Sequence, residues 1–490
     1  LDRNIGILSQ PTPSHSVIAN LPEAGRLFSR RILTTLEQFD PRVLKIPNRI
    51  LTLEKAITGR FEGQSIPGVY SIFLDASAGY LYPGKKSRYI SKELDGTVKV
   101  DPKIRQLFDE AIENLKIGLP PDTVFQASMK DEVVKKSKDK SRLFYISDLL
   151  NMLLSRAIFL PVVSICSQFP LLTECMQGIN PYSEWGSLYT ALVERSRTNV
   201  FDGDFSDYDL TVPIESVRAA CDVSLSLLAY AGYSPQDIYS SYTFTREYTN
   251  PLVVMGNLIL QWNKGHVSGN LMTFIHNSFI NSIIDRSIFH HLQGDWNFDA
   301  HVTTLKGGDD VVTAVDDSCP NYNMPNLTRV YSEIGMVYTS ADKSVQTTDF
   351  PGIENVTFFK RRFVQDSEKI LAPLDPHSLV KMLTFTLSPA NLALAQFTGS
   401  VRSALLEATQ YPNDFNAFSR ALFDETRVAK IGDTFFDTSP LLPEELFTIE
   451  HYHSITQPAA PILRDQPRVS TPFMKYDQPG PWDILYDNDK

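Results

Sequence analysis

The chain has few cysteines, and its four (Cys166, Cys175, Cys221 and Cys319) lie far apart with no CxxC pair. That pattern argues against a disulfide framework or a thiolate zinc site and fits a reducing compartment. Positive charge is also short: 46 Lys and Arg stand against 57 Asp and Glu, a formal net charge of −11. The balance disfavours nucleic-acid binding by a uniformly basic surface, although an acidic exterior can enclose a basic channel. Long apolar runs are missing too. The most apolar stretch, "AIFLPVVSICSQFPLL" (157–172), is cut by Pro161 and Pro170. It falls short of the roughly 20 clean residues of a membrane span, so no direct membrane insertion is expected. Asp2 and Pro11 fall where a secretory leader would carry basic and then apolar residues, and none is expected. Internal repeats and low-complexity tracts are absent. The remainder, 42% hydrophobic and 21% charged, is ordinary for a globular chain. Its length allows about three domain-sized units.

Within that composition "LKGGDDVVTAV" (305–315) stands out, because Asp309 and Asp310 sit side by side behind two glycines, between apolar runs that alternate as strands do. Gly and Asp are ordinary turn residues, so the motif alone is equally a solvated hairpin tip. "NVFDGDFSDYDLTVP" (199–213) reads as a strand entering a carboxylate-rich turn, and "VSGNLMTFIHNSFINSIIDRSIFHHL" (267–292) as a helix opened by Ser-Gly. Residues 104–117 have helical periodicity, "DASAGYLYPGKK" (75–86) reads as a loop, and "YSEIGMVYTSADKS" (331–344) as helix to turn. "NVTFFKRRFV" (355–364) reads as a basic hairpin, and the chain from Pro373 is mostly helical before a Pro-rich tail. Residues 1–60 carry no usable motif.

One chemistry wants these pieces together. Joining a ribose 3′-hydroxyl to an NTP α-phosphate uses two divalent cations, held by carboxylates on rigid, adjacent backbone. Asp204 at a strand end and Asp309 with Asp310 at a hairpin tip have that character, and a bound cation would relieve their repulsion. Asp209, five positions after Asp204, can face the sugar and read a 2′-hydroxyl. The basic run from Lys130 to Arg142 can meet a triphosphate, and Lys343 in "ADKS" is a candidate general acid.

"DFSDYD", "SGNLMTFIHN", "GDD", "ADKS" and "FFKRRF" follow one another in the order and spacing of viral RNA-dependent RNA polymerases. "SAGY" with "GKK", "KDE" with "KSRL", and "GINPYSEW" narrow the resemblance to the picornavirus-like group, order Picornavirales, over about residues 75–375. The resemblance implies an α+β right-hand fold of fingers, palm and thumb, with an antiparallel-sheet palm and mostly helical fingers and thumb. The expected division is fingers 1–160, palm 161–212, a fingers insertion 213–264, palm 265–372, and thumb with tail 373–490.

Carried over position by position, it makes Asp204, Asp309 and Asp310 the ligands of two Mg²⁺ ions, with Mn²⁺ able to substitute, and Lys343 the proton donor. Asp209, Ser268, Gly269, Thr273 and Asn277 surround the incoming ribose, while Lys130, Lys140 and Arg142 meet the triphosphate. Ser77 and Gly79 guide template RNA, and Lys360 and Arg361 hold the primer RNA. It further implies NTP substrates, a genome-linked protein primer, other viral replication proteins as partners, and work at membrane-associated replication complexes in the host cytoplasm.

One departure is plain: the family usually has Tyr before GDD, and this chain has Gly307. A decayed, non-enzymatic RNA-binding scaffold is the reading that glycine favours, and Gly307→Tyr would be its first reversion. A reverse transcriptase shares the two-metal chemistry but excludes the 2′-hydroxyl with a bulky aromatic, where this chain has Asp209 and Asn277. A two-metal nuclease would leave Ser268, Thr273 and Asn277 idle. Separately, Asp204 with Asp209 is equally a cap and turn pair, Ser268-Gly269 a helix cap, and Lys360 to Arg362 a solvated strand edge.

Overall fold

The structure is a computed structural model that describes residues 5–8, 15–93, 96–130, 142–341, 349–384, 393–431 and 434–453. Its organising element is a four-stranded antiparallel sheet in the order Val302–Gly307, Asp310–Val315, Val200–Ser206, Val337–Thr339. The last strand lies where the sequence suggested only a turn; three residues are too short to show a period-2 pattern, and pairing with the central strand holds them extended. In the central strand Val200, Asp202 and Asp204 alternate with Phe201, Gly203 and Phe205, so each set takes one face. Val200 packs with Leu305, Val312 and Ala314 against Trp185, Leu188 and Leu192 of the helix Trp185–Arg195. Phe201, Phe205 and Val311 belong to the larger core shared with the helices Thr273–Gln293 and Met324–Glu333. Each fully buried aromatic of this kind contributes about 1.5–3 kcal/mol. Gly203 has no side chain because the Tyr338 ring crosses it; an added Cβ would lie 2.0 Å from the Tyr338 hydroxyl oxygen.

The helix Thr273–Gln293 is buried on every side from Ile275 to Phe289, including His276, Asn277, Ser278, Asn281, Asp285 and Arg286. Such a helix must satisfy its polar groups internally. It does so largely by gripping the acidic hairpin. Gly308 N–H donates to Ser278 Oγ (3.0 Å), and Asn281 Nδ2 donates to the Gly308 carbonyl (3.2 Å). The buried Lys306 ammonium donates to Asn281 Oδ1 (3.1 Å) and is ion-paired with Asp285, which also accepts from Tyr331 (2.7 Å). At the next residue, Arg286 is held by Glu174 and Asp299; burial opposes ionisation of Glu174, but the guanidinium beside it keeps its carboxyl well below the usual range. Ser268-Gly269 does not cap this helix, since it starts at Thr273 with no side-chain cap.

Pro161 does not interrupt the apolar segment, contrary to expectation. The helix runs unbroken over Leu149–Gln168, and the Ala157 carbonyl that a proline at 161 cannot reach accepts instead from Leu51 N–H at 2.9 Å. It is long and apolar enough to cross a membrane, yet 94% of its apolar window is buried inside the protein. Its neighbours include the helices Leu53–Thr58, Pro102–Lys116 and Ile214–Ala231. The N-terminal region without a motif supplies the helix Leu21–Leu36, packed on Ile214–Ala231. A second sheet of five strands joins Ile5–Leu8, Leu258–Trp262, Leu252–Met255, Phe125–Met129 and Leu143–Ser147. Its members come from both segments expected to form the fingers. Among the described residues from Pro376 onward the regular elements are helices, apart from the hairpin Val428–Ile431 and Thr434–Asp437. The Pro-rich tail lies outside the described residues.

A buried polar cluster underlies the loop at 75–86. Gly79 rests on the start of the long helix, where an added Cβ would lie 2.5 Å from Asp148 Cα. Asp148 caps that helix by accepting from Asn151 N–H (2.9 Å), and Asn151 Nδ2 donates to Glu247 (3.2 Å). Burial raises the Glu247 carboxyl to about 8, against a usual 4.5, with Thr123 and Asn151 opposing and Asp148 adding to the rise. A raised acid leaves stability intact below the unfolded value and erodes it as pH climbs toward the folded one. Glu247→Gln is therefore expected to raise the melting temperature at pH 8 and to lose that advantage near pH 4.5, measured by thermal unfolding across pH. A gain independent of pH would contradict a buried neutral carboxyl.

Candidate active site

The acidic hairpin turns at Gly307-Gly308-Asp309-Asp310, with Gly307 paired to Asp310. Gly308 has φ +74, the left-handed region that favours glycine. The neighbouring ladder pairs Val311 with Gly203, so one further step sets Asp310 opposite Asp204. Thr339 flanks Asp204 on its other side. Asp202, Asp204 and Asp310 thus share one face at one end of the sheet, beyond the apolar layer of Val200 and Val312. Burial pushes the Asp310 carboxyl up to about 7, and Asp309 and then Asp204 add to the rise, with Lys360 opposing them. Carboxylates crowded this way on rigid strands form a donor set that fits hard divalent cations.

Asp202 was not among the expected residues. It is buried and accepts from Thr357 N–H (2.7 Å) and Ala341 N–H (3.3 Å), so it pins the following hairpin to the acidic strand. The alternation of "VFDGD" could have shown that it shares a face with Asp204.

Asp209 follows a left-handed turn at Asp207 (φ 51) that opens the short helix Tyr208–Thr211. Burial raises its carboxyl to about 6 and Asp309 adds to this, while the Ser268 hydroxyl and Arg142 pull it down. One carboxylate therefore feels Asp309, Ser268 and Arg142 together. Its backbone carbonyl accepts from His266 N–H (2.8 Å), and His266 Nδ1 meets Asn277 Oδ1 at 3.0 Å. Burial lowers the His266 imidazole to about 4, so it is neutral and the ring N–H is the donor to that oxygen. Tyr208 donates to the Asn277 carbonyl (2.9 Å), fixing the same residue from the other side. Gly269 is forced by close approach, for a Cβ there would lie 1.6 Å from the Tyr145 carbonyl oxygen. Thr273 donates its hydroxyl to the Asn270 carbonyl at 3.1 Å. His266, Ser278, Asn281 and Lys306 escaped the sequence reading, since each would pass for an ordinary core or surface residue.

The remaining candidates divide. Lys130 N–H donates to the Arg142 carbonyl (2.8 Å), bringing the two ends of the basic run together, and both residues are exposed. Lys140 and Lys343 lie outside the described residues. Ser77 Oγ accepts from Gly79 N–H (3.2 Å), which shapes the loop at 75–86. Lys360 is exposed at the tip of the hairpin Thr357–Phe358 and Arg361–Arg362. Arg361 is paired: its guanidinium forms a fork with Glu407 at 2.7 Å and donates to the Ala372 carbonyl at 2.9 Å, so it ties the hairpin to the helix Ala393–Ala408. Two other ligand-type groups occur among the described residues, His15–His291–Glu333 and His301–Asp316–Cys319. Arg329 is paired with Glu333 and Arg195 lies 3.8 Å from Asp316, so a cation already attends each.

The chain and its fold are similar to those of known proteins. The family model for viral RNA-dependent RNA polymerase matches residues 29–418. The chain is 24% identical over 378 residues to the replicase polyprotein of cricket paralysis virus, covering 69% of this chain and 20% of that protein. It is 25% identical over 354 residues to the genome polyprotein of rice tungro spherical virus, covering 68% and 10%. It therefore spans a fifth or less of these relatives. Among solved structures, a sicinivirus 3Dpol RNA-dependent RNA polymerase superposes with a TM-score of 0.67 at 21% identity, over 85% of this chain and 81% of that one. That likeness establishes the right-hand α+β fold. On the breadth of the family match, the chain belongs to the viral RNA-dependent RNA polymerases.

Proposed function

We propose that this chain copies an RNA template into RNA from NTPs by two-metal nucleotidyl transfer, replicating a positive-strand viral genome. The observation that carries the reading is the juxtaposition of Asp204, Asp309 and Asp310 at one sheet end with Asp209 close enough to feel Asp309. Asp204 and Asp309 would hold two Mg²⁺ ions with Asp310 beside them. Bound there, the ions lower the pKa of the primer hydroxyl and neutralise the departing pyrophosphate. The protein's own groups do the rest. Asp209, oriented beside Ser268 and the His266–Asn277 pair, accepts from the 2′-hydroxyl and so selects ribose. Lys130 and Arg142 steer the triphosphate, joined by Lys140, and Lys343 donates the proton that pyrophosphate takes up. The Ser77–Gly79 loop guides template, and Lys360 contacts the primer backbone.

In this reading the four-stranded sheet with its two backing layers is the palm, within 161–212 and 265–372. The five-stranded sheet and its helices are fingers, within 1–160 and 213–264, and the helical region from 373 is thumb. Initiation from a tyrosine hydroxyl of a small genome-linked protein, and work at membrane-associated complexes in the host cytoplasm, complete the proposal.

Extension of a labelled RNA primer on an RNA template tests the activity. Wild type should extend with NTPs and Mg²⁺, and Asp309→Ala should lose at least about 1,000-fold of that rate. Asp209→Ala should keep extension while narrowing the preference for NTPs over dNTPs by on the order of 10-fold or more. A wild type that prefers dNTPs would sink the ribose reading. Proton competition gives a third outcome. With the Asp310 carboxyl near 7 when no cation is bound, the Mg²⁺ needed for half-maximal extension should rise below that pH and level off above it. The rise should be up to about 10-fold per pH unit for one displaced proton. A Mg²⁺ requirement flat from pH 6 to 8 would contradict it.

A further inference from the structure

Gly307 and Gly308 are glycine for different reasons. Gly308 needs its left-handed backbone, whereas Gly307 lies outside that region. What Gly307 lacks is room. A Cβ on it would lie 2.2 Å from Phe359 Cε1 and 2.3 Å from Phe359 Cζ, with Phe358 Cε2 at 3.4 Å. The edge of the Phe359 ring therefore occupies the space beside the acidic turn where a larger residue before GDD would put its own side chain. It is wedged there by Phe358 (ring centroids 4.1 Å) and by Phe274 from the first turn of the polar helix (6.4 Å, interplanar 30°).

The hairpin that delivers this ring is strained to do so. Phe358 pairs with Arg361, so Phe359 and Lys360 form a two-residue turn. Both have left-handed backbones, φ 51 and 59, at positions where Asn and Gly are the usual occupants. Nothing in the turn itself favours Phe there; the packing on Gly307 holds it. The same turn sets Lys360 where its charge acts on Asp310, and the hairpin is anchored on both sides, by Thr357 to Asp202 and by Arg361 to Glu407.

We propose that Gly307 and Phe359 are a matched pair in which Phe359 is a positioning residue for the Asp309–Asp310 turn, supplying from the neighbouring hairpin the aromatic that the turn lacks. The glycine is thus no mark of a decayed site, and Gly307→Tyr, the change that would restore the usual family residue, is damaging in this chain. The inference rests on the polymerase reading for its effect on activity, though not for the packing itself.

The test is a double-mutant cycle on the full chain with Gly307→Tyr, Phe359→Gly and the double variant, read by thermal unfolding and by primer extension at graded Mg²⁺. Gly307→Tyr alone should lower extension by on the order of 100-fold, the size of effect a misplaced catalytic group produces. The double variant should recover most of that loss, and the melting temperatures should show the same non-additivity. Phe359→Ala should raise the Mg²⁺ needed for half-maximal extension about 10-fold while leaving the KM for NTP nearly unchanged. Full activity of Gly307→Tyr, or a double variant no better than that single one, would overturn the pairing. A lower melting temperature for Phe359→Ala with an unchanged Mg²⁺ requirement would overturn the positioning role. If wild type showed no extension, the polymerase reading would fail, while the melting cycle would still decide the pairing.

Discussion

Crowding like charges at the end of a sheet is the constraint around which this molecule is arranged. Asp204 and Asp310 face one another across a ladder with Asp309 at the adjacent turn, and burial makes their repulsion expensive. A soft scaffold would relax by spreading them. Here it cannot, because the strands are buried on both faces and the Gly308 backbone is clamped by the Ser278 and Asn281 side chains. The Lys306–Asp285–Tyr331 cluster stiffens the same hairpin from beneath. Protonation of Asp310, the nearby Lys360 charge or a bound cation would each relieve it, so the rigidity that crowds these carboxylates also makes them a fitting cation site.

The same rigidity extends outward through polar contacts. Asp202 sits one pleat from Asp204 and spends its oxygens on Thr357 and Ala341. Asn277 is held by His266 and Tyr208, so the segment around Asp209 is referenced to the helix that grips the acidic turn. Arg361 and Glu407 carry that reference on to the C-terminal helices. Buried networks of this kind specify position more than they add stability. Sugar selection and phosphoryl chemistry both depend on placement within fractions of an ångström.

Much of the site was legible in sequence because its chemistry demands particular residue types at particular elements. Alternation put Asp204 and Asp310 at strand ends, and the two glycines put Asp309 in the turn between strands. The Ser268–Asn277 segment was legible as the start of a helix, although its first helical residue is Thr273. What stayed hidden was the supporting structure. Lys306 reads as a surface lysine, and only the buried Asp285 across the helix shows otherwise. Pro161 reads as a break, because the compensating donor Leu51 lies more than a hundred residues earlier in the chain. Arg361 reads as a free cation, since nothing local reveals Glu407. The N-terminal helix Leu21–Leu36 carries no motif because its contribution is packing. Each of these is a long-range partnership, the kind of information a local pattern does not contain.

The most direct test of the account is to locate the cations. Crystals of the chain with RNA primer and template, a non-hydrolysable NTP and Mn²⁺ would give anomalous scattering peaks at bound metal. The account predicts two peaks, both within ligand distance of Asp204 and Asp309 carboxylate oxygens, with the ribose 2′-hydroxyl near Asp209. Peaks only at other groups, such as His15–His291–Glu333, or none beside the acidic turn, would contradict it.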